Sequence, residues 1–192
     1  MTLLGNGLSD ADRNEEALAV KEAGLAMRRR LGAPAEHVLI TQMNLSNTYA
    51  DLRRFEEALR LRQDVYSGWL KLHGEEHEDT LGAANNYALS LLKLQRYTEI
   101  KSLLRRTLPV IRRVLGENDT TTLASESIYA EALYRDPGAT LDDLREAVST
   151  FEETGRIARR VFGGAHPLAV DFGQHLQRSR AVLRARDTPA AA

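Results

Sequence analysis

The sequence predicts an all-α solenoid built from antiparallel helix pairs. The first observation behind this prediction is a repeat of glycines: Gly32, Gly74 and Gly116 stand at intervals of 42 residues, and Gly163 follows after 47. A fixed period of about 20 to 50 residues is typical of arrays in which each repeat packs its apolar face against its neighbours. Such an array offers an extended surface to another macromolecule and usually contains no catalytic pocket.

The second observation is the spacing of the apolar residues within each repeat. Seven positions past the four glycines, an apolar residue recurs each time, as Leu39, Leu81, Leu123 and Val170. Apolar steps of three to four residues indicate amphipathic helices, and the alternation typical of strands is missing. A high share of Ala, Leu, Glu and Arg, with only five prolines, also favours helix.

Each repeat is expected to hold two helices. The first begins near Asp79-Thr80, Asp119-Thr120 or His166-Pro167, where a capping side chain or a first-turn proline suits a helix start. Short turns at Arg53-Arg54 and Gln95-Arg96 lead into the second helix, which begins at Phe55 or Tyr97. The second helix ends in basic residues and then the glycine, which suits the helix dipole and a left-handed C-cap.

The repeats also set the expected domain limits. Residues 14–18 echo residues 55–59, so we expect a lone second helix before Gly32, and only a first helix fits after Gly163. The five additional residues of the third repeat coincide with residues 135–139, where Pro-Gly predicts a longer loop. The prediction is eight helices in an array over residues 13–185, an irregular or disordered segment at 1–12 and a disordered tail at 186–192.

Composition excludes several classes of protein. The 192 residues carry 26 basic and 27 acidic side chains, and this balance gives no electrostatic case for nucleic acid or an anionic membrane. Clusters such as Arg28-Arg29-Arg30 mostly precede the glycines, where cations offset the helix dipole. Cysteine is absent, which excludes disulfides and fits a cytoplasmic protein. We find no signal peptide and no membrane-spanning run.

These residues resemble the tetratricopeptide repeat in its long form, typical of the kinesin light chain. The resemblance covers residues 14–184 and is carried by Gly74-Glu75-Glu76-His77-Glu78-Asp79-Thr80-Leu81, Asn85-Asn86-Tyr87-Ala88 and Phe55-Glu56-Glu57-Ala58. It implies a right-handed superhelix whose first helices line a concave groove, and asparagines there that hold a partner's backbone. By register, the implied groove positions are Met43, Asn44, Asn47, Asn85, Asn86, Leu89, Ser127, Ile128, Glu131, Gln174, His175 and Arg178.

Asn44 and Asn86 occupy equivalent places and match the family's asparagine, whereas Ile128 and His175 depart from it. An amide offers both a donor and an acceptor to a peptide backbone, so these two asparagines either clamp a partner or tie one helix to the next. Basic side chains lie one turn further along, at Lys93, Arg135 and Arg178. They predict either a preference for an acidic partner or a solvated charged face.

No residues form a recognisable catalytic or metal site. His73 and His77 flank Gly74 in a turn between repeats, and the spacing is not that of a zinc-protease helix. No Ser/His/Asp order stands above chance, so we expect no enzyme activity, cofactor or metal. Trp69 is interpreted as packing between repeats.

The sequence therefore predicts a protein–protein interaction scaffold that binds a peptide or protein segment in the groove. The alternative is a structural subunit that packs into a larger assembly through its helix edges and half-repeat ends, since such ends expose apolar surface. The identity of the partner and the oligomeric state stay open.

Overall fold

The computed structural model describes residues 14–187, and within that range every regular element is an α-helix. We number the eight helices in chain order: α1 (Asn14–Arg30), α2 (Ala35–Asp51), α3 (Phe55–His73), α4 (Glu78–Lys93), α5 (Tyr97–Leu115), α6 (Thr120–Arg135), α7 (Leu141–Phe162) and α8 (Pro167–Asp187). The predicted all-α class and the helix count are confirmed. No helix in the described range is long and apolar enough to cross a membrane.

The helices belong to two compact units. The N-terminal unit ends at Leu94 and contains α1 to α4, and the C-terminal unit begins at Gln95 and contains α5 to α8. Within each unit, every helix packs against the next one along the chain. The first helices of the repeats are α2, α4, α6 and α8, and the second helices are α1, α3, α5 and α7.

The core of the N-terminal unit lies where second helices meet first helices. Leu18 and Leu25 of α1 pack with Leu45 of α2. A second cluster joins Leu39 of α2, Val65 and Trp69 of α3 and Ala83 of α4. Trp69 is only 6 % exposed, so its predicted role in packing between repeats is confirmed.

The core of the C-terminal unit follows the same plan. Leu123 of α6 packs with Ile157 and Ala158 of α7 and with Ala169 and Phe172 of α8. All five side chains are buried, and the burial of Leu123 agrees with the apolar position predicted seven residues past the glycine. Ala147 of α7 and its counterpart Ala58 of α3 are also buried, which lets neighbouring helices approach closely.

One buried position differs between the two units. Lys21 lies four residues after Ala17, and Arg62 lies four residues after Ala58. Both are buried cations. Lys21 Nζ donates to Thr48 Oγ1 at 2.6 Å, and Arg62 Nη1 donates to Ser90 Oγ at 3.0 Å.

In the C-terminal unit the position equivalent to Arg62 holds the buried Leu104, and the position equivalent to Ser90 holds the buried Ala132. The N-terminal unit thus uses polar pairs where the C-terminal unit uses an apolar pair. Polar groups buried in this way must be hydrogen-bonded to be tolerated, and here they are.

The helix ends agree with the sequence in part. Asp119 caps α6 and Pro167 opens α8, as predicted. Helix α4 begins at Glu78, close to the start predicted near Asp79-Thr80, and its cap is His77, whose Nδ1 accepts a hydrogen bond from the Asp79 amide at 3.3 Å.

The repeated glycines end the second helices with a positive φ, at 63° for Gly32 and 83° to 90° for the other three. Gly74 combines its φ of 83° with a ψ of −178°, which is an extended conformation rather than the left-handed helical cap that the sequence predicts. This region of backbone space is accessible essentially only to glycine, which explains the residue type at this turn.

The end of the array extends past the predicted limit. Helix α8 continues to Asp187, two residues into the segment predicted as a tail from residue 186. Arg186 donates to the backbone carbonyls of Ala139 at 2.6 Å and Pro137 at 2.9 Å, which orders this end against the loop before α7. The predicted irregular segment at 1–12 and residues 188–192 of the tail lie outside the described residues.

Candidate functional site: the α2/α4 face

Two first helices of the N-terminal unit carry all four asparagines of the predicted site. We define the α2/α4 face as Met43, Asn44 and Asn47 of α2 together with Asn85, Asn86 and Leu89 of α4. Five of these residues are half-buried, and Asn47 is exposed. These six residues belong to the N-terminal unit, and the predicted residues from Ser127 onward belong to the C-terminal unit.

Asn44 and Asn86 engage the rest of the unit through their backbones. The Asn44 carbonyl accepts from Thr48 Oγ1 at 3.3 Å, and the Asn86 carbonyl accepts from Arg62 Nη1 at 3.2 Å. Among residues 14–187, the side-chain amides of Asn44 and Asn86 form no hydrogen bond. Each half-buried amide therefore keeps its donors and acceptor for another molecule.

Arg62 lies beneath this face and joins three helices. From α3 its guanidinium donates to Ser46 Oγ at 3.3 Å and Asn47 Oδ1 at 3.0 Å on α2. On α4 it donates to Ser90 Oγ at 3.0 Å and to the Asn86 carbonyl. Four hydrogen bonds from one rigid, planar group determine the relative placement of α2 and α4. Sequence reasoning missed Arg62, since a basic residue within a polar stretch of helix gives no local sign of burial.

The buried charge of Arg62 gives this face a positive character. Only 7 % of the residue is exposed, and burial lowers the pKa of its guanidinium, while the more distant Asp51 opposes that shift. In the part of the chain that the structure describes, no carboxylate lies within ion-pairing distance of Arg62. Arginine stays protonated in proteins, so an uncompensated positive charge lies next to the asparagines.

Three further positions surround these asparagines. Met43 packs against the cluster around Trp69, and Leu89 is half-buried. Asn85 is engaged in an interaction of its own. Lys93 is exposed at the last turn of α4. The face therefore combines amides, a partly exposed apolar surface and positive charge.

The predicted site residues of the C-terminal unit are arranged differently. Ser127 and His175 are 8 % and 7 % exposed, and Ile128 is buried as well. His175 stacks on Phe151 with ring centroids 5.3 Å apart, and its Nδ1 lies 2.9 Å from the Tyr134 hydroxyl. These buried side chains hold α6, α7 and α8 together.

The remaining members of the C-terminal set carry charge or an amide, and all of them except the half-buried Glu131 are exposed. Glu131 accepts a hydrogen bond from Arg135 Nη1 at 2.5 Å, and its other carboxylate oxygen lies 3.7 Å from His175 Nε2. Arg135 is thus already paired within its helix. Gln174 and Arg178 are exposed on α8. This unit lacks the paired asparagines of the α2/α4 face.

A separate pocket of about 350 Å³ lies between the second helices α1 and α3 over part of α2. At its wall, the Tyr49 hydroxyl donates to Glu22 Oε1 at 2.5 Å, and the Arg54 guanidinium lies 4.7 Å from the centre of the Tyr49 ring. Burial first, and then the Glu22 carboxylate, raise the pKa of Tyr49 to about 12. No sequence pattern predicts this pocket.

The turn between α3 and α4 brings together side chains able to bind a metal ion. His73, His77 and Asp79 each place one ligand atom within 4.8 Å of the others. From sequence, His73 and His77 predict no metal site, because Gly74 places them in a turn instead of on one helix and their spacing indicates no third ligand. The structure supplies one in Asp79, at the first turn of α4.

Comparison with known proteins finds a matching repeat in part of the chain. A tetratricopeptide repeat model matches residues 38–79 and 80–120. Among curated proteins, a clustered mitochondria protein homolog from Ajellomyces capsulatus is 25 % identical over 150 residues, and one from Neosartorya fischeri is 25 % identical over 150 residues. Each match covers 73 % of this chain but only 12 % and 11 % of the relative, so the chain spans about a tenth of these proteins.

Solved structures show the same fold over almost the whole chain. A Podosopora anserina protein described as having nearly identical kinesin light chain TPR-like repeats matches with a TM-score of 0.77 at 21 % identity, over 97 % of this chain and 86 % of that one. A variant of it gives 0.80 at 20 % identity with the same coverage. BtubC (BKLC) from P. vanneervenii gives 0.62 at 12 % identity, over 98 % of this chain and 80 % of that one.

Proposed function

We propose that this chain, a tetratricopeptide repeat protein with the fold of kinesin light chain-like repeats, is a non-catalytic module that binds a peptide or protein segment across its α2/α4 face. Repeats of this fold generally mediate protein–protein interaction. The curated relatives carry a similar segment within much longer chains, which suits a binding module. The absence of cysteine supports a cytoplasmic setting, where disulfides are rare.

The main observation behind this proposal is the hydrogen bonding of the Asn44 and Asn86 side chains. Their side-chain amides lie at equivalent positions of successive first helices and form no hydrogen bond among the described residues. A half-buried amide without a partner loses part of its hydration and gains nothing for the fold. A peptide backbone laid across α2 and α4 offers the matching carbonyl and amide groups.

Electrostatics favour an acidic segment. The Arg62 charge is buried without an acidic partner, and Lys93 is exposed at the end of α4. A carboxylate above this face would interact with Arg62 at the low effective dielectric of a partly buried site, where attraction is stronger than in water. We therefore expect acidic segments to bind more tightly than basic ones, with an affinity that falls as salt concentration rises.

The test uses displayed libraries of random peptides, one enriched in Asp and Glu and one in Lys and Arg. Peptides selected on the purified protein are measured by fluorescence anisotropy against the wild type and the Asn44→Ala/Asn86→Ala variant. Losing two amide contacts of about 1 kcal/mol each lowers affinity about tenfold or more. The melting temperature should stay nearly unchanged, because these amides hold no other described residue.

Gln63→Ala is the matched control, since it removes one exposed amide from the second helix α3. It should leave peptide affinity unchanged. A double variant that loses stability in parallel with affinity would contradict the proposal, because the asparagines would then be structural. If the selected peptides bind the wild type and the double variant equally, the result would favour the alternative, an assembly subunit that packs through other surfaces.

A further inference from the structure

The turn between α3 and α4 collects donors from three helices. His73 Nε2, at the end of α3, lies 3.2 Å from Glu36 Oε1 at the start of α2. His77 Nδ1, at the cap of α4, lies 3.6 Å from Asp79 Oδ2. The rings of His73 and His77 lie 4.1 Å apart between centroids. We propose that His73, His77 and Asp79, with Glu36 beside them, form a binding site for a divalent transition metal ion.

The donor set suits zinc and its neighbours in the periodic table. Imidazole nitrogen and carboxylate oxygen are established zinc ligands, and a site with three protein ligands leaves a position for water. Two imidazoles favour such borderline metals over calcium or magnesium, which prefer oxygen ligands alone. At present the Nδ1 lone pair of His77 accepts only a long hydrogen bond of 3.3 Å from the Asp79 amide. A metal ion taking that lone pair displaces a weak interaction.

One of the ligands is held in place by the core. The His73 ring lies 5.1 Å from the ring of Trp69, one helical turn earlier on α3. Trp69 is buried against Leu39, Val65 and Ala83. Because the indole is buried in the core, the His73 ring beside it has a restricted range of positions. Restricting a ligand in this way reduces the entropy lost when a metal ion binds.

The C-terminal unit contains an equivalent turn that lacks two of the three donors. Phe162, His166 and Leu168 stand there at the positions of His73, His77 and Asp79. His166 Nδ1 accepts from the Leu168 amide at 3.3 Å, just as His77 accepts from Asp79, so capping explains the histidine that both turns share. It does not explain His73 or Asp79. Of the two histidine-capped turns described, only the α3–α4 turn has those two donors.

Metal binding at this point would link the end of α3 to the start of α4. These helices carry Arg62 and the α4 half of the α2/α4 face. An ion that binds only the folded chain stabilises it in proportion to the logarithm of its concentration above Kd. The site stands on its own geometry and does not depend on the proposed peptide binding.

The experiment is a calorimetric titration of the untagged chain with zinc chloride, paired with thermal melts in zinc and in chelator. We expect one ion per chain and a melting temperature a few degrees higher in zinc. Protons compete with the metal ion for imidazole nitrogen, so the affinity should fall as the solution is made more acidic. An absence of binding heat and of any zinc-dependent rise in melting temperature would overturn the proposal.

The decisive variant is His73→Phe/Asp79→Leu, which installs the residues of the C-terminal turn and keeps His77 as the cap. It should lower zinc affinity at least about tenfold and leave the melting temperature in chelator nearly unchanged. Asp79→Asn, which keeps the side-chain shape, is the second variant should the first fail to fold, and it too should weaken binding. His37→Ala removes an exposed histidine elsewhere and should change nothing. Equal zinc affinity in all these proteins would place the ion elsewhere and refute the site.

Discussion

Arg62 Nη2 donates to Asn47 Oδ1 at 3.0 Å, and this contact determines which end of the Asn47 amide faces outward. With its oxygen turned to the guanidinium, the exposed Asn47 presents its NH₂ group, which can only donate. Asn44 lies one helical turn before Asn47, and Asn86 holds the position of Asn44 in the next repeat. The side-chain amides of both can still donate and accept hydrogen bonds. The α2/α4 face thus has one amide of fixed polarity beside two that adapt to the partner.

Replacing Arg62 tests whether its hydrogen bonds outweigh the cost of burying its charge. Arg62→Leu removes four hydrogen bonds and leaves Ser90 Oγ without this donor, so we expect a loss of about 1–3 kcal/mol in the free energy of unfolding. Adding Ser90→Ala recreates the Leu104–Ala132 pair of the C-terminal unit and should recover part of that loss. Urea unfolding of the three proteins measures both steps. A single variant more stable than the wild type would mean that desolvation of the charge dominates.

The glycine at the end of α3 is expected to resist substitution for reasons of backbone conformation alone. A Cβ at Gly74 meets no atom within 4 Å, yet the φ of 83° and ψ of −178° exclude other residues. Gly74→Ala should therefore cost about 1–3 kcal/mol. Gly82→Ala is the matched control, since a Cβ there also meets nothing within 4 Å but the residue lies inside α4. It should stabilise the fold by about 0.5–1 kcal/mol, and equal effects of the two changes would contradict this account.

The start of α7 depends on a reciprocal pair of hydrogen bonds. The Asp143 amide donates to Thr140 Oγ1 at 3.1 Å, and the Thr140 amide donates to Asp143 Oδ2 at 3.0 Å. Thr140→Ala removes the first of these and should lower stability by about 1 kcal/mol. Thr140→Ser keeps the hydroxyl and should behave like the wild type in the same chemical unfolding measurement. Similar losses in both variants would indicate that the threonine methyl group, rather than the cap, matters.

Tyr49 should make stability depend on pH at the alkaline end. Its pKa is raised by burial and by Glu22 to about 12 in the folded chain, against about 10 for an unperturbed tyrosine. The protonated phenol is thus favoured in the folded state. Its contribution is fully present below about pH 10 and declines as pH rises toward 12, because the unfolded chain ionises first.

The measurement is the difference in unfolding free energy between wild type and Tyr49→Phe, followed from neutral to alkaline pH. This difference should stay constant up to about pH 9 and then move against the wild type. Glu22→Gln removes the carboxylate that accepts the hydrogen bond from the hydroxyl and should lower the Tyr49 pKa in the folded chain, so the change should begin at the same pH but end at a lower one. A difference that does not vary with pH would contradict the raised pKa.

Much of the fold follows from local chemistry and was therefore predictable. The glycine interval, the cap at Asp119, the proline at 167 and the apolar positions each act within a few residues, and together they predicted eight helices and the buried Leu123 and Trp69. The candidate Asn44 and Asn86 came from register and resemblance, which also depend only on position along the chain. Their role in binding stays a prediction.

What the pattern missed depends on contacts between residues far apart in the chain. From sequence alone, Arg62 would be placed at the surface. It is buried because its guanidinium donates hydrogen bonds to residues of two other helices, namely Ser46, Asn47, Asn86 and Ser90. Register predicts His175 in the groove, but in the structure it is buried and contacts Phe151 and Tyr134. Periodicity records which face of a helix is apolar, whereas the pairing of polar groups across helices exists only once those helices have packed.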